Sequence, residues 1–352
     1  ILVDSEANLR DLFGDPNDDT FEYFMTAANF LAYGNNLQVV RVVGSSAKNA
    51  GNSAGILVEN DEKYDSLSGS FVGNDWVAKY AGVLGNSIKV SHCDSATAFS
   101  STLTGGVSGA AAVGDTVVGL TVGATANLSV NDKIVFVDSS TGEQDAVTVT
   151  AISDLGSSGA TVTITPALTK ALSTGASATR KWRFFDVVDS APGTSQFSID
   201  RDNSTSNDEI HVIVYDADGK WSGVEGTVLE KFDFMSVALG AKTDQGGINY
   251  FKEKINRNSK YIYWAGNIGA TNTNWGEALT GGMVFGTNDT PSYEVLTGGV
   301  DDNGSTAINN DINDVDKGYD LFKDAETVDV SLLLGGPGNA TNGQFLIDEI
   351  FT

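Results

Sequence analysis

The segment 102–181 constrains the fold most, because its composition differs from that of the chain on both sides. It contains a single aromatic residue, Phe136, and is dominated by Thr, Val, Ala, Gly and Ser. Short runs of β-type composition alternate with polar turn clusters, and the runs lie at 117–120, 134–137, 146–152 and 161–165. This pattern predicts a small antiparallel β-barrel or sandwich domain inserted into a larger fold.

A helix and a strand are predicted on the N-terminal side. Phe21, Phe24, Ala28 and Leu31 share one face of a helix that begins near Phe21. Residues 37–43 are apolar at all but two positions, which is typical of a strand buried on both faces. A helix that leads into such a strand predicts an α/β layer with a covered sheet.

The rest of the chain alternates between further elements. Strands are predicted at 88–91, 209–215, 227–235, 261–264 and 328–334, and helices at 247–258, 316–325 and 344–352. Residues 216–219 read as a hairpin turn, with Lys220 and Trp221 beginning the return strand. Residues 45–74 are small and polar, and we expect a long surface excursion there.

The fold class that follows is an α+β or α/β multidomain protein. A mixed sheet with packed helices carries the inserted antiparallel β domain. The predicted domains are 1–44 with 326–352 (α/β), 45–101 with 182–325 (α+β), and the insert 102–181. The final helical pattern lacks a closing cap, so we expect the α/β domain to be truncated and the chain to be part of a longer polypeptide.

The charge balance limits the partners. The chain has 21 basic and 46 acidic residues and a formal charge of −25. Such a surface repels phosphates and anionic lipid heads, so neither nucleic acid nor membrane is an expected partner. No apolar run approaches the ~20 residues of a membrane span. The single cysteine, Cys93, is expected to be a small core residue.

Candidate catalytic residues are few. His92 and His211 are the only histidines, and the chain contains no GxSxG or HExxH pattern. Each histidine lies in or at the end of a predicted strand, where a structural role is the simpler interpretation. We therefore predict no catalytic residue, no cofactor and no metal ligand, and a protein that is not an enzyme.

Two local patterns have a binding interpretation and a simpler alternative. Oxygen-bearing side chains alternate along 200–208, as in a calcium loop, but Thr205 and His211 occupy the positions that require glycine and an acidic residue. A solvated polar loop is therefore favoured. Residues 335–343 are glycine-rich between a predicted strand and a helix, but they lack the Lys-Ser/Thr of a phosphate-binding loop.

Several longer motifs carry a family resemblance. They read ANLRDLFG at 7–14, YFM at 23–25, NFLAYGN at 29–35 and LQVVRV at 37–42. In this order and spacing they resemble the contractile tail sheath proteins of T-even-like (myovirus) bacteriophages. The segments LGNSIKV at 84–90 and LTGGVD at 296–301 are also similar to that family, whereas LTGG at 279–282 lacks the right context.

The resemblance implies a structural role. A sheath subunit forms hexameric rings with other copies, and the rings stack helically around a tail tube. A baseplate triggers contraction, which drives the tube through the host envelope. It implies a location in the virion, with assembly in the bacterial cytoplasm. Segment 102–181 matches nothing in the family and is expected to face outward. The resemblance also implies an N-terminal arm and a C-terminal core domain that link neighbouring subunits. Neither has a counterpart in this sequence, so we expect the chain alone to be monomeric.

Other functions remain open at this stage. Segment 102–181 could be a virion-displayed adhesin or a glycan-binding module, although it has almost no aromatic residues to stack on sugars. The chain could also be the sheath of a non-phage contractile injection system. An enzyme whose site is assembled only in three dimensions is a third alternative.

Overall fold

The architecture is that of a computed structural model. It describes residues 1–16, 18, 20–67, 70–121, 128–156, 159–201, 207–266, 285, 288–302, 318–324, 326, 328, 330–335 and 340–350.

A small N-terminal unit contains two helices and a two-stranded antiparallel sheet. Its elements are β1 (Leu2–Val3), α1 (Glu6–Phe13), α2 (Phe21–Leu31) and β2 (Leu37–Gln38). Phe24 and Ala28 of α2 are buried against Val3 and Leu9, which confirms the predicted helix. The predicted strand 37–43 is too long. Val39 still exchanges two backbone hydrogen bonds with Ile1, but residues 40–43 lie in no strand among the described residues and are at most half-buried.

The next stretch begins the central body. It contains β3 (Asn49–Gly51), α3 (Asp61–Ser66), β4 (Trp76–Ala81), β5 (Ile88–Cys93) and α4 (Ala96–Phe99). The expected surface excursion at 45–74 is wrong, because β3 is fully buried within it. The Asn49 carboxamide donates to the carbonyls of Val58 and Ala78 and accepts from the Val58 amide. A polar side chain can lie in this core because its hydrogen bonds are all made.

The insert is one antiparallel sheet with its own core. Its strands are β6 (Ser100–Leu103), β7 (Val117–Leu120), β8 (Lys133–Asp138), β9 (Gly142–Glu143), β10 (Val147–Gly156), β11 (Gly159–Thr165) and β12 (Ser177–Lys181). The order is β6-β12-β8-β10-β11-β7, with β9 on β8, and all four predicted strands are confirmed. The ladder is not closed into a barrel. Instead, the segment after β6 hydrogen-bonds on both sides, from Val107 to Ala176 and from Ser108 to Gly119.

The chain then returns to the body. The elements are α5 (Gln196–Ile199), β13 (Glu209–Asp216), β14 (Thr227–Ser236), α6 (Phe251–Asn258), β15 (Ile262–Trp264) and β16 (Ser292–Val295). Two antiparallel sheets result, ordered β14-β13-β5-β16 and β15-β4-β3. A common core that includes Trp76, Phe251 and Trp264 packs between their elements. The return strand begins at Thr227 and not at Lys220, so a ten-residue loop, 217–226, replaces the predicted tight turn.

The last part of the chain is described in fragments. It ends in α7 (Ala340–Phe345), which continues as a π-helical turn over Leu346–Ile350 and agrees with the predicted final helix. The predicted strand 328–334 is wrong for the residues described there, which lie in no strand, and Leu332 is 62% exposed. Of the helix predicted at 316–325, only 318–320 is helical among the described residues.

The chain therefore has the predicted α+β multidomain architecture, in which every strand pair of the described residues is antiparallel. The assignment of 326–352 to the N-terminal domain stays a prediction. Within the described ranges, no helix is long and apolar enough to cross a membrane.

Candidate functional site

Two of the motif segments meet at one junction in the body. The Oδ1 atom of Asn86 accepts a hydrogen bond from the Gly299 amide at 2.8 Å, and its Nδ2 atom donates to the Gly299 carbonyl at 3.1 Å. The carboxamide thus makes both bonds that a strand neighbour would make. Segments 84–90 and 296–301, more than 200 residues apart in sequence, are in direct contact.

Close backbone approach explains the glycines of this junction. A Cβ atom on Gly299 would lie 2.4 Å from the Gly82 carbonyl oxygen. Gly298 has φ +75°, a conformation that favours glycine, and its carbonyl oxygen lies 1.9 Å from where a Cβ on Gly55 would be. The two glycines of the LTGG motif therefore let backbone pack directly on backbone, because they have no side chains.

The same junction holds β3 in place. Gly51 and Thr297 exchange two backbone hydrogen bonds of 2.9 Å, and Lys48 and Val300 exchange two of 3.0 Å. The Leu296 side chain, next to the first of these pairs, is fully buried in the body's core. Together with the pairing of β3 to β4, these long-range bonds make a strand that the local sequence of β3 does not indicate.

Side chains from the 39–47 crossing segment join the same region. Arg41 donates from Nη2 to the Ala81 carbonyl at 2.6 Å. Asp302 accepts from the Ser46 amide at 3.0 Å, while Asp301 accepts from the Val83 amide at 3.0 Å. The motif segments around residues 41, 86 and 299 therefore converge on one rigid junction, which we call the motif junction.

A second junction attaches the insert to the body. Tyr293 on β16 donates from its hydroxyl to Oδ1 of Asp132 at 2.8 Å and accepts from the Arg183 amide at 3.1 Å. The fully buried Asp132 also accepts from the Ser129 amide. Burial raises the pKa of Asp132 to about 6, although the bonds from Ser129 and Tyr293 and the charge of Arg180 oppose that rise.

Arg180 on β12 strengthens this insert junction. The side chain is fully buried, and its guanidinium donates to the carbonyls of Thr97, Ala98 and Asp289. Thr97 and Ala98 lie in α4, so backbone carbonyls compensate the buried charge. The Nε atom has no hydrogen-bond partner. A charge held in this way fixes the insert to two separate segments of the body.

The two histidines lie on opposite faces of the central sheet. His211 donates from Nε2 to the Ser190 carbonyl at 2.9 Å and accepts at Nδ1 from the Phe234 amide at 3.1 Å. These bonds fix a neutral tautomer, and burial lowers its pKa. His92 packs on the other face, against Trp76 and Phe285, and burial lowers its pKa to about 4.

The remaining candidate sites have structural surroundings. Asp208 is fully buried and accepts from Ser195 and Ser236, so the end of the calcium-like pattern is committed to the fold. Residues 202–206 and 336–339 of the two candidate loops lie outside the described residues. Cys93 is a buried free thiol whose pKa burial raises strongly. No group of three or more His, Cys, Asp or Glu side chains in the described ranges could hold a metal ion.

Sequence patterns missed the side chains that matter most at the junctions. Asn86 stood out only as part of the segment 84–90, and no sequence pattern singled out Asp132 or Arg180. The one signal in the sequence concerned Arg180, which is the single arginine of segment 102–181, where most residues are small. Their partners are distant in sequence, so no local pattern marks them.

The fold and its junctions define a multidomain structural scaffold, in which buried polar side chains hold separate segments together. The chain is similar to the tail sheath protein of Salmonella phage ViI, with 28% identity over 323 residues. That alignment covers 86% of this chain and 46% of that protein.

Two further relatives match shorter parts. The tail sheath protein of Vibrio phage KVP40 is 41% identical over 81 residues (23% of this chain, 12% of that protein), and that of Enterobacteria phage T4 is 50% identical over 54 (15% and 8%). No family model matches the chain. The resemblance to phage tail sheath proteins is confirmed, and the chain spans less than half the length of these relatives.

Proposed function

We propose that this chain is part of a structural subunit of a contractile phage tail sheath. The observation that carries the proposal is the similarity to a tail sheath protein along 86% of the chain. The motif junction supports it, because the segments that resemble the family pack on one another through Asn86 and Gly299. Nothing observed favours the adhesin, the glycan-binding module or the non-phage injection system.

The proposed role of this part is that of a rigid body. The motif junction ties β3 to residues 296–301, and the insert junction ties β8 and β12 to β16 and α4. Contraction of a sheath is a change from one packing of subunits to another. The work would come from the difference in free energy between the two sets of interfaces. Domains that keep their own shape transmit such a change without absorbing it.

The partners proposed for the whole protein are other sheath subunits, in hexameric rings stacked around a tail tube, together with a baseplate. Such an array repeats one heterologous contact without closing. The insert would face outward from it. The proposed location is the virion tail, after assembly in the host cytoplasm. Alone, the chain is proposed to be monomeric at micromolar concentration, because its charge of −25 opposes self-association.

Immunogold electron microscopy of the parent phage particle tests the location. Antibodies raised against residues 1–352 should decorate the tail along its whole length, and contracted tails should be labelled over a shorter, thicker region. Labelling confined to the head, to the fibres or to a single point of the tail would overturn the proposal. Light scattering on the purified chain tests separately whether it is monomeric at micromolar concentration.

A further inference from the structure

Three buried ring nitrogens in the core of the body have no hydrogen-bond partner in the part of the chain that the structure describes. They are Nε1 of Trp76, Nε1 of Trp264 and Nδ1 of His92. Each of these side chains is at most 5% exposed, so bulk solvent does not supply the missing bonds. A buried polar atom without a partner costs free energy, and native proteins leave few of them.

The three rings lie together between two sheets. Trp76 on β4 and Trp264 on β15 are directly paired across their strands, so both side chains lie on the same face of the sheet β15-β4-β3, with ring centroids 4.8 Å apart. His92 extends from β5 of the other sheet, and its ring centroid lies 6.5 Å from that of Trp76. Phe285 packs on both His92 and Trp264, at 5.7 Å and 5.9 Å. We call Trp76, Trp264 and His92 the ring cluster.

The hydrogen-bonding capacities of the ring cluster are complementary to one small molecule. An indole N–H can only donate, so Trp76 and Trp264 both need an acceptor. Burial lowers the pKa of His92 to about 4, so the imidazole is neutral at neutral pH, and Nδ1 accepts when the proton is on Nε2. Two donors and one acceptor match a water molecule, because buried waters typically make about three hydrogen bonds.

A charged or a larger ligand fits the ring cluster poorly. A halide ion could accept from both indoles, but it has no proton to donate to His92, and a buried anion without a cation is costly. The charge that acts on His92 is the carboxylate of Glu294, which would repel an anion. The side chains of Phe251 and Phe285, which pack on Trp264, have no polar atom, so further polar groups of a larger ligand would stay unpaired.

We infer that the ring cluster binds one structural water molecule, which accepts from Trp76 and Trp264 and donates to His92. The water joins the sheet β15-β4-β3 to the sheet β14-β13-β5-β16 by hydrogen bonds across the core. It gives His92 a defined role in the fold, as the acceptor that orients the water. The presence of this water does not depend on the sheath function proposed above.

A high-resolution crystal structure of this chain tests the site directly. We expect one oxygen-sized density peak within about 3.2 Å of both indole Nε1 atoms and of His92 Nδ1. Trp76→Phe removes one donor without a change of charge and should at least halve the occupancy of the peak. Trp182→Phe is the matched control. Trp182 is equally buried, but its indole already donates to Ser91 Oγ at 2.8 Å, so the peak should keep its occupancy.

Two results would overturn the inference. One is a native structure with no density between the three nitrogens, for example with the Trp76 indole directed at the ring face of Trp264, since an N–H···π contact would then satisfy it. The other is an equal loss of the peak in both variants, because altered packing and not the lost donor would then be the cause. The native structure needs no substitution, so it decides the question even if Trp76→Phe does not fold.

Discussion

The hydroxyl of Tyr293 donates a 2.8 Å hydrogen bond to Asp132, across the boundary between the insert and the body. Asp132 lies in the turn before β8, and Tyr293 lies on the edge strand β16. The insert is therefore not a freely hinged appendage. One of the contacts that hold it is a buried carboxyl group whose pKa burial raises to about 6.

The pKa of Asp132, raised from 3.8 to about 6, predicts an unusual pH dependence. The folded state binds the proton more tightly than the unfolded state, so this contribution to stability is full below pH 3.8 and is lost as the pH rises through 6. The free energy of unfolding, relative to Asp132→Asn, should fall by roughly 3 kcal/mol across this window. Urea titrations at several pH values measure it. A difference that stays constant with pH would contradict the assignment.

His92 should make the free energy of unfolding change with pH in the opposite direction. Its pKa is lowered from 6.5 to about 4, so its contribution is full above pH 6.5 and is lost as the pH falls towards 4. His92→Gln cannot become charged and should gain roughly 3 kcal/mol relative to the native chain over that fall in pH. His211→Gln is the control. It loses two hydrogen bonds and should be destabilised at neutral pH, and it should gain on acidification as well because burial also lowers the pKa of His211. A stability difference between His92→Gln and the native chain that stays constant from pH 7 to pH 4 would refute the prediction.

The motif junction predicts an asymmetry between two glycines. Gly299→Ala places a methyl group 2.4 Å from the Gly82 carbonyl and should lower the free energy of unfolding by about 1–3 kcal/mol. Gly109→Ala has open space within 4 Å and should change it by less than about 0.5 kcal/mol. Thermal and urea unfolding of both variants test this, and equal stabilities would show that the close approach is absent.

The carboxylate of Asp216 should keep the loop 217–226 in one conformation. Asp216→Ala removes the acceptor for five donors and should make this loop the first site of limited proteolysis. Asp218→Ala changes an exposed carboxylate of the same loop and should leave the cleavage pattern unchanged. Mass spectrometry of the first fragments identifies the cut. Protection of the loop in Asp216→Ala would show that other contacts hold it.

Local periodicity was sufficient for the elements that bury one face. The helix from Phe21 and the strands of the insert were predictable, because alternation or helical spacing of apolar residues reports which side is covered. The strands β13 and β14 were predicted from apolar runs. In the structure β13 is buried on both faces, whereas most of β14 is half-buried.

Local periodicity could not predict strands that form only by pairing with residues far away in the sequence. The residues Asn49-Ala50-Gly51 of β3 have no apolar pattern, and they are a strand because β4 pairs with them and Thr297 and Val300 bond to them and their neighbours. The reverse error occurred at 37–43, where an apolar run suggested a longer strand than the one that pairs with residues 1–3. The sites followed the same rule, since the roles of Asn86, Asp132 and Arg180 at the junctions depend on partners that are distant in sequence.

A cryo-EM map of the parent particle tests the central claim most directly. We expect density for this chain in every ring of a helical layer that surrounds the tail tube, with the insert 102–181 on the outside. The body and insert should superpose as one rigid unit between extended and contracted tails. A map in which this chain lies elsewhere in the particle, or surrounds no tube, would contradict it.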